Sequence, residues 1–359
     1  MGKINLAVIF GGRSSEHEVS LSSALGVISA LDKEKYNIIP IAITKSGSWL
    51  IEEKGQEYIE RFKDRAGIEG GIGIEESKAI SLVENRNITD YKNNNKIDLV
   101  LPILHGPYGE DGRLQGMLDM IGLPYVFSGV LTHALAMNKA KAKIIVKNSG
   151  VRVAEDMVIG EKYKVEEILK KISLPVVIKP TELGSSVGIS IARDEKSLKE
   201  GIEDALKYNK EVIIEKYIKG REFTVTVMGN ENPEVLAITE IIPKISEFYD
   251  YKAKYEIGGS EHVCPARLPD DVAGKMKESA IKAFKALGCN DLSRADFILS
   301  ENGEPYFIEI NTIPGFTTIS MFPKLWEATG LGYSALLDRL VTLAFERHAG
   351  KQSLRTSYP

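Results

Sequence analysis

The sequence has little cysteine and no long hydrophobic run, and these absences exclude several classes of protein. The two cysteines, Cys264 and Cys289, are too far apart for a zinc knuckle or a CxxC redox pair, so we expect ordinary buried thiols. No apolar stretch approaches the ~20 residues that a membrane span needs. The apolar segment 4–10 is too short for a signal peptide. These features predict a cytoplasmic protein without a membrane partner.

Positive charge is not in excess either. Lysine and arginine number 46 against 50 aspartates and glutamates, which gives a formal net charge of −4. A general nucleic-acid binder is usually basic, so we expect no nucleic-acid partner, while a local basic pocket for a small anion is compatible with this balance. The chain has 359 residues, of which 43% are hydrophobic. That is enough material for two or three packed domains.

Apolar strands and amphipathic helices alternate along the first part of the chain. Buried parallel strands are predicted at residues 6–10, 38–43 and 97–104, with helices between them and a short strand at 125–127. This order indicates an N-terminal doubly wound α/β domain with a parallel sheet.

The rest of the chain indicates two further units that mix helices and strands. One begins with a helix over residues 133–147, and the other contains alternating strands, a hairpin over 293–311 and closing helices. The predicted fold class is therefore α/β and α+β, multidomain. The predicted boundaries are an N-terminal domain at 1–127, a central domain at 128–217, a C-terminal domain at 218–347 and a polar tail at 348–359.

The predicted hairpin gathers polar side chains on one face. The dipeptide Asn302-Gly303 is a strong hairpin-turn signal. A turn centred there makes two cross-strand pairs on one face, Asp296 with Glu309 and Arg294 with Asn311. The other face is apolar and comprises Ala295, Phe297, Leu299, Tyr306, Ile308 and Ile310. The polar face suits magnesium beside phosphates. The alternative is a solvated face with an ordinary ion pair, and the irregular segment 312–316 that follows argues against it.

A glycine-bracketed loop at 184–188 lies between two predicted strands. Its backbone N–H groups and the hydroxyls of Ser185 and Ser186 suit phosphates, although it lacks the GK[ST] of a P-loop and most such loops are only turns. Lys179 ends the preceding apolar strand, where a charge is costly without an anionic partner. Lys139 is a second candidate cation, but its lysine-rich surroundings equally fit a solvated helix face.

Glu16 and His105 each follow a predicted strand of the N-terminal domain. In a doubly wound sheet, ligands bind in the crevice at the carboxyl ends of the strands, so both are candidate ligand contacts. The turn-rich surroundings of His105 do not suit a core histidine. The segment 247–255 mixes aromatic and charged residues, and it is either a lid over a site or an exposed loop that binds a partner.

Taken in series, these stretches resemble the D-alanine–D-alanine ligases of the ATP-grasp superfamily. The resemblance extends from Lys3 to about Arg347, and so many ordered motifs make it specific. The matching stretches are Gly11-Gly12, Ser15 to Ser20, His105-Gly106, Gly109 to Gly112, Gly129-Val130, Met137 to Lys139, Val177 to Pro180, Gly184 to Gly188, Glu215-Lys216, Glu222 to Val225, Phe248 to Tyr251, Ala253 to Tyr255, Arg294 with Asp296, and Glu309 to Gly315. The resemblance implies a two-domain ATP-grasp fold after the N-terminal domain, with ATP between the two.

The resemblance also implies a reaction. Two D-alanines would be joined to D-alanyl-D-alanine for peptidoglycan, with ATP converted to ADP and phosphate through a D-alanyl phosphate intermediate. ATP and D-alanine are the implied small-molecule partners. The implied ions are two Mg²⁺ or Mn²⁺ and a monovalent cation, and the implied assembly is a homodimer formed through the N-terminal domain.

Roles around the nucleotide follow from the same resemblance. Asp296, Glu309 and Asn311 would hold the two metal ions. The residues that would contact ATP are Lys139 and Lys179 at the α- and β-phosphates, Ser186 in the closing loop, Glu215, Lys216, Tyr217 and Ile218 at the adenine edge, Glu222 at the ribose, and Lys254 at the transferred phosphate.

Roles around the first D-alanine are implied in the same way. Glu16 would bind its ammonium group, and His105 would lie close to its carboxylate. Ser185 and Tyr255 would form hydrogen bonds with Glu16 and fix its position.

Arg294 and the backbone N–H of Gly315 would form the oxyanion hole for the tetrahedral intermediate. Ser320 and Met321 would hold the carboxylate end of the second D-alanine, with Tyr249 on the pocket wall.

Two positions depart from the family pattern. Asn138 stands where many relatives have aspartate, and we expect little effect because the neighbouring Lys139 makes the phosphate contact. Met321 stands where D-lactate or D-serine ligases often differ, and a neutral residue there, with Tyr255 retained, favours D-alanine. The alternatives are a related ligase that uses D-lactate or D-serine, and a regulatory nucleotide-binding protein without turnover. The presence of Arg294 and the three metal ligands disfavours the second.

Overall fold

The structure is a computed structural model that describes residues 2–65, 97–245, 258–316 and 330–354. The chain divides by its contacts into two compact units. The first unit contains Met1–Val130, Asn290–Leu292 and Ile313–Pro359, and the second contains Leu131–Cys289 and Ser293–Thr312. Among the described residues, no helix is long and apolar enough to cross a bilayer.

Helices and strands follow one another throughout the described chain. In order they are β1 (Ile4–Gly11), α1 (His17–Ala30), β2 (Tyr36–Ile43), β3 (Trp49–Ile51), α2 (Glu53–Arg65), β4 (Leu99–Leu104), α3 (Arg113–Met120), α4 (Val130–Met137), α5 (Lys139–Asn148), β5 (Asp156–Ile159), α6 (Val165–Lys171), β6 (Val176–Pro180), β7 (Ser190–Ala192), α7 (Glu195–Ala205), β8 (Val212–Lys216), β9 (Gly220–Gly229), β10 (Glu234–Pro243), β11 (Ser260–Val263), α8 (Asp270–Ala286), β12 (Asp291–Ser300), β13 (Pro305–Asn311) and α9 (Tyr333–Gln352).

The first unit is built on a four-stranded sheet with the order β3-β2-β1-β4. β1 pairs in parallel with β2 and β4, which confirms the predicted parallel sheet, and the short β3 adds an antiparallel edge. Every residue of β4 is buried, as expected for a strand covered on both faces. The predicted strand at 125–127 is reduced to one bridge between Val100 and Tyr125. Because Gly11 pairs with Leu104, the segments after β1 and β4 leave the sheet at the same edge.

The second unit contains an antiparallel four-stranded sheet with the order β5-β8-β6-β7. Its core includes the alternate residues Val176 and Ile178 of β6, with Leu198 and Ile202 from α7. The register places Val177 opposite Glu215. Since side chains alternate along a strand, Lys179 lies on the same face as Val177 and diagonal to Glu215.

A five-stranded sheet with the order β11-β10-β9-β12-β13 carries the hairpin. One face packs on α8 and α5 through a core that includes Phe223, Phe284, Phe297 and Phe307. Packing on this face leaves the other face of β12 and β13 for the polar side chains. The sheet therefore presents them on a rigid element.

The predicted single helix over residues 133–147 is two helices. α4 ends at Met137 and α5 begins at Lys139, with Asn138 in an extended conformation between them. The Asn138 side chain accepts a hydrogen bond from the backbone N–H of Lys141 at 3.0 Å, which caps α5. The break frees the N–H of Lys139 to donate to the Thr181 carbonyl at 2.9 Å. Apolar periodicity continues through the break, so the pattern alone did not reveal it.

The hairpin confirms the predicted polar pairs and the apolar pair of Ala295 with Ile310, but not the apolar pairs nearer the turn. The confirmed pairs are Arg294 with Asn311 and Asp296 with Glu309. A β-bulge follows, and Phe297 pairs with Phe307 instead of Ile308. Phe307 is therefore buried in the core, and Ile308 faces a cleft. For the same reason Tyr306 pairs with Ile298 and is only partly buried, so its predicted place on the core face is also wrong.

Candidate active site

On the polar face of the hairpin, an arginine forms a bidentate ion pair with a carboxylate. Nε and Nη2 of Arg294 donate to the two carboxylate oxygens of Asp296, each at 2.8 Å. Nδ2 of Asn311 donates to Asp296 Oδ2 at 3.1 Å. The side chains of Arg294 and Asp296 are only 16% and 18% exposed. A bidentate pair at this burial fixes the plane of the guanidinium group, so Arg294 is held in one orientation.

Two buried lysines reach the same cleft from neighbouring elements. Lys139 Nζ lies 3.3 Å from Glu309 Oε2 and donates to the Leu183 carbonyl at 2.6 Å. Lys179 Nζ donates to Glu215 Oε2 at 2.8 Å. Both lysines are buried, so the alternative of a solvated helix face for Lys139 is wrong. Buried ammonium groups need anionic or hydrogen-bonding partners, and the cleft supplies both.

Glu215 is the centre of a buried ion network that includes a lysine not predicted from the sequence. Lys143 Nζ lies 3.1 Å from Glu215 Oε1. Burial favours a higher pKa for Glu215, but the charges of Lys179 and Lys143 outweigh it and lower the pKa to about 2. Burial acts to lower the pKa of Lys179, and the charge of Glu215 overcomes it and raises the pKa. Glu215 and Lys179 are therefore both ionised at neutral pH.

The donor set on the hairpin fits a hard divalent cation. Asp296 and Glu309 offer carboxylate oxygens and Asn311 offers an amide oxygen, which are ligands that magnesium and manganese accept. The described residues contain no group of three or more His, Cys, Asp or Glu side chains placed to hold a metal. Asp296, Glu309 and Asn311 would be the residues that hold a metal ion here. Arg294 and Lys139 compensate the two carboxylates in the structure.

The glycine-bracketed loop has an unusual backbone. Ser185 and Ser186 have φ angles of +51° and +58°, so two successive residues with side chains adopt the left-handed region. Such residues cost about 1–3 kcal/mol each and concentrate at functional sites. Gly188 has φ +71°, and a Cβ there would meet Pro180 Cγ at 2.9 Å. Gly188 therefore suits this loop conformation, whereas Ser185 and Ser186 adopt it at a cost in backbone energy.

The strand β8 leads into the predicted adenine-edge segment. The N–H of Lys216 donates to the Glu155 carbonyl at 2.8 Å, and the N–H of Tyr217 donates to the Pro175 carbonyl at 3.1 Å. Within the described part of the chain, the N–H of Ile218 donates to no protein acceptor. Of these three backbone donors, Ile218 is therefore the one that remains for a ligand.

These groups line one cleft of the second unit. Its polar lining includes Lys139, Lys179, Ser186, Glu215, Lys216, Tyr217, Glu222, Asp296 and Glu309. Its apolar lining includes Ala154, Val177, Ile189, Ile191, Ile218, Ile241, Ile298 and Ile308. An apolar cleft with a few converging cations is suited to a flat ring that carries anionic groups.

Glu16 and His105 lie together in the first unit. Both are buried, with 8% and 5% of their surface exposed. A Cβ on Gly106 would meet Glu16 Oε2 at 2.6 Å, so the Glu16 carboxylate lies directly against the backbone that follows His105. The structure thus brings together the two residues predicted at the crevice of this sheet.

The hydroxyl of Ser23 lies within hydrogen-bond distance of both His105 and the backbone of Phe316. The backbone N–H of Phe316 donates to Ser23 Oγ at 3.3 Å, and Ser23 Oγ lies 3.2 Å from His105 Nε2. Either group can be the donor, depending on the tautomer of His105. If Ser23 donates to Nε2, neutral His105 carries its proton on Nδ1.

Gly315 is held in the first unit by anchors on both sides. The carboxylate of Glu110 accepts from the N–H of Ile313 at 3.3 Å and from the N–H of Gly106 at 2.8 Å. On the other side, Phe316 is anchored by Ser23. The segment that contains Gly315 is thereby tied to the region of Glu16 and His105.

Five predicted site residues, Tyr249, Lys254, Tyr255, Ser320 and Met321, lie outside the described residues. Their roles stay predictions. Two residues that sequence analysis missed are Lys143 and Ser23. Lys143 follows Lys139 by one helical turn, a spacing that puts both on one helix face, and that was the available signal. Ser23 lies among apolar residues on the buried face of α1, but only the fold shows what it contacts.

Comparison with protein families gives two matches that together cover most of the chain. The model described as D-ala D-ala ligase N-terminus matches residues 5–128, and the model described as D-ala D-ala ligase C-terminus matches residues 141–342.

Curated relatives match over the whole chain. A D-alanine–D-alanine ligase from Chloroherpeton thalassium is 43% identical over 98% of this chain and 99% of its own length. Another from Bacillus pumilus is 40% identical over 99% of this chain and 100% of its own length.

Solved structures of D-alanine ligases are also similar to this structure. The D-alanine–D-alanine ligase from Coxiella burnetii has a TM-score of 0.81 at 31% identity, covering 98% of this chain and 97% of its own. The VanG D-Ala:D-Ser ligase from Enterococcus faecalis has a TM-score of 0.81 at 35% identity, covering 96% and 100%. A Bacillus anthracis D-alanine–D-alanine ligase complexed with ATP has a TM-score of 0.72 at 31% identity, covering 98% and 100%.

Proposed function

Because this chain belongs to the D-alanine–D-alanine ligase family, we propose that the cleft of the second unit is its ATP site and that Glu16 and His105 bind the first D-alanine. The chain is an ATP-dependent ligase with the ATP-grasp fold, and it joins D-alanines to a dipeptide for the cell wall. The observation that carries the site proposal is the hairpin face, where Asp296 and Glu309 lie beside buried cations.

The reaction we infer has two steps. The carboxylate of the first D-alanine attacks the γ-phosphate of ATP, which forms D-alanyl phosphate and releases ADP. The amine of the second D-alanine then attacks the acyl carbon, and phosphate leaves from the tetrahedral intermediate. Both steps move negative charge, so fixed cations and backbone donors are the groups that the protein must supply.

The nucleotide residues divide by the part of ATP that they meet. Lys139 and Lys179 neutralise the α- and β-phosphates, and Ser186 closes over them. The adenine edge meets the segment Glu215, Lys216, Tyr217 and Ile218, with the N–H of Ile218 as the available donor, and Glu222 accepts from the ribose hydroxyls. Lys254 reaches the transferred phosphate.

Asp296, Glu309 and Asn311 would hold magnesium or manganese, which would supply positive charge to offset the negative charge of phosphoryl transfer. The protein's own contribution is to orient these three side chains on a hairpin backed by a packed core. A monovalent cation is a further expected ion of the same site.

Arg294 and the N–H of Gly315 receive the oxyanion of the tetrahedral intermediate. The bidentate ion pair between Arg294 and Asp296 supports this role because it orients the guanidinium group before the substrate binds. Glu16 binds the ammonium group of the first D-alanine and is fixed by Ser185 and Tyr255. Ser320, Met321 and Tyr249 form the site of the second D-alanine.

D-serine is the second candidate for the second substrate, since a D-Ala:D-Ser ligase is among the similar structures. Met321 and Tyr255 favour D-alanine over D-serine and D-lactate.

The remaining assignments concern the whole chain. We place the enzyme in the cytoplasm as a homodimer formed through its N-terminal domain, with no nucleic-acid or membrane partner. We divide it into an N-terminal substrate domain at 1–127, ATP-grasp domains at 128–217 and 218–347, and a tail at 348–359, whose first residues continue α9 to Gln352.

The site is tested by the variant Glu309→Gln. We expect kcat to fall by about a hundredfold or more, because a divalent metal contributes several kcal/mol of charge stabilisation in the transition state. Steady-state ADP release at saturating ATP and magnesium measures the effect. The matched control is Glu301→Gln on the same hairpin, whose carboxylate pairs with Lys219 at the surface. Wild-type turnover of Glu309→Gln would show that the metal assignment is wrong.

A further inference from the structure

Lys143 is a fully buried lysine that no step of the reaction above uses. Its side chain is 2% exposed and lies on α5, one helical turn after Lys139. Burying an ammonium group costs several kcal/mol unless anions and hydrogen bonds compensate it. Its position inside the second unit therefore requires a specific set of partners.

Those partners tie Lys143 to the nucleotide cleft. Its Nζ lies 3.1 Å from Glu215 Oε1 and 3.6 Å from Asp156 Oδ1, and it donates to the Ala154 carbonyl at 3.3 Å. The other oxygen of Glu215 accepts from Lys179 at 2.8 Å. One buried carboxylate thus bridges two ammonium groups.

The position of Glu215 between the two lysines matters because Lys179 has two anionic groups to neutralise, Glu215 and the phosphates of the nucleotide. In the structure it pairs with Glu215, and in the proposed function it is assigned to the phosphates. If Glu215 had Lys179 as its sole partner, moving that charge to the phosphates would leave a buried carboxylate uncompensated, which is strongly unfavourable. Lys143 removes this conflict because its ammonium group, 3.1 Å from Glu215, compensates the carboxylate when Lys179 neutralises the phosphates.

We propose that Lys143 is a positioning residue for the nucleotide site: it holds the Glu215 carboxylate and thereby releases Lys179 to the phosphates. The proposal rests on the proposed function of the cleft. Lys143 itself does not touch the nucleotide, so its effect passes through Glu215 and Lys179.

The variant Lys143→Met tests this role. Affinity for MgADP, measured by calorimetry, is expected to fall by about tenfold or more, because Lys179 would then be the one remaining lysine beside a buried carboxylate and would stay paired with it. KM for ATP is expected to rise by a similar factor, with KM for D-alanine unchanged. The control is Lys147→Met, one turn further along α5 and exposed, which should bind MgADP as the wild type does.

A second variant separates positioning from a merely structural role. In Lys143→Met/Glu215→Gln the carboxylate no longer competes for Lys179, so MgADP affinity is expected to return to within about threefold of the Glu215→Gln variant. If Lys143→Met alone does not fold, this comparison of the double variant with Glu215→Gln carries the test. The proposal is overturned if folded Lys143→Met binds MgADP as tightly as wild type, or if the double variant stays tenfold weaker than Glu215→Gln.

The variant Lys179→Met distinguishes failure of this inference from failure of the proposed nucleotide site. If Lys179→Met and Lys143→Met both bind MgADP normally, the cleft is not the nucleotide site. If Lys179→Met alone loses affinity, the site stands and the role of Lys143 is wrong.

Discussion

At the scale of single residues, the tautomer of His105 bears on the contact that we propose between this ring and a substrate carboxylate. We expect Ser23 to donate to Nε2, 3.2 Å away, because the neutral ring then holds its proton on Nδ1 and can donate it to that carboxylate. The contact is buried and made by one hydroxyl. A small substitution there should therefore change the tautomer without changing the fold.

The variant Ser23→Ala tests this assignment. We expect Nε2-protonated His105 to become populated, and KM for the first D-alanine to rise by about three- to tenfold, as for the loss of one hydrogen bond. MgADP affinity should not change. Ring ¹⁵N chemical shifts report the tautomer directly, and Ser22→Ala on the same helix is the control. An Nε2-protonated ring in the wild-type enzyme would contradict the assignment.

Some site residues could be predicted from the sequence, and others could not. Glu16 and His105 were predicted because each follows an apolar strand, and parallel strands end at one sheet edge. Lys143 was not, because a lysine-rich helix segment has the same composition whether it is solvated or buried against Glu215. Which of the two occurs depends on the strand that packs beside the helix, and that is a property of the fold.

At the scale of elements, the hairpin shows both the strength and the limit of pattern analysis. The Asn302-Gly303 turn and strict alternation predicted the polar pairs, but the register next to the turn differs by one residue, with Ser300 opposite Glu304. The β-bulge between Asp296 and Phe297 restores the predicted register at the polar pairs. Alternation also placed Ile308 in the core, but the β-bulge inserts one residue and moves Ile308 to the cleft side, next to Glu309. A bulge leaves no trace in composition, because Phe307 and Ile308 are both apolar.

The bulge predicts different outcomes at two adjacent residues. Phe307→Ala should lower the free energy of unfolding by about 3–5 kcal/mol, because it opens a cavity in the core. Ile308→Ala should change stability by less than about 1 kcal/mol and weaken MgADP binding by about three- to tenfold through lost apolar contact. Denaturant unfolding and calorimetry measure both. A large stability loss at Ile308 with normal MgADP affinity would favour an unbulged hairpin.

The break at Asn138 is the second case at this scale. Apolar spacing favoured one helix through this position, but an asparagine that accepts from the N–H of Lys141 starts a new helix there. Asparagine is a residue type that favours the N-cap position, so the sequence did contain a signal for the start of a helix. The break puts Lys139 in the first turn of α5, where it reaches Glu309 and the Leu183 carbonyl.

At the scale of the whole molecule, we propose that the two units contribute different parts of one reaction. The second unit holds the cleft with its lysines, carboxylates and Arg294, and the first unit holds Glu16, His105 and the segment of Gly315. The order of motifs along the chain predicted the fold class and the family, because long-range order survives errors in single elements. The order of motifs does not identify the second substrate, and the prediction for that substrate rests on residues near Met321.

The measurement that tests this account most directly is ADP release from ATP and magnesium with D-alanine as the amino acid, with products separated by mass. Parallel reactions add D-serine or D-lactate. The account predicts that ADP release depends on D-alanine and that D-alanyl-D-alanine is the product even when the competitors are present. A mixed product would contradict the assignment of the second substrate. A folded protein that binds MgADP but releases no ADP with D-alanine would contradict the central claim.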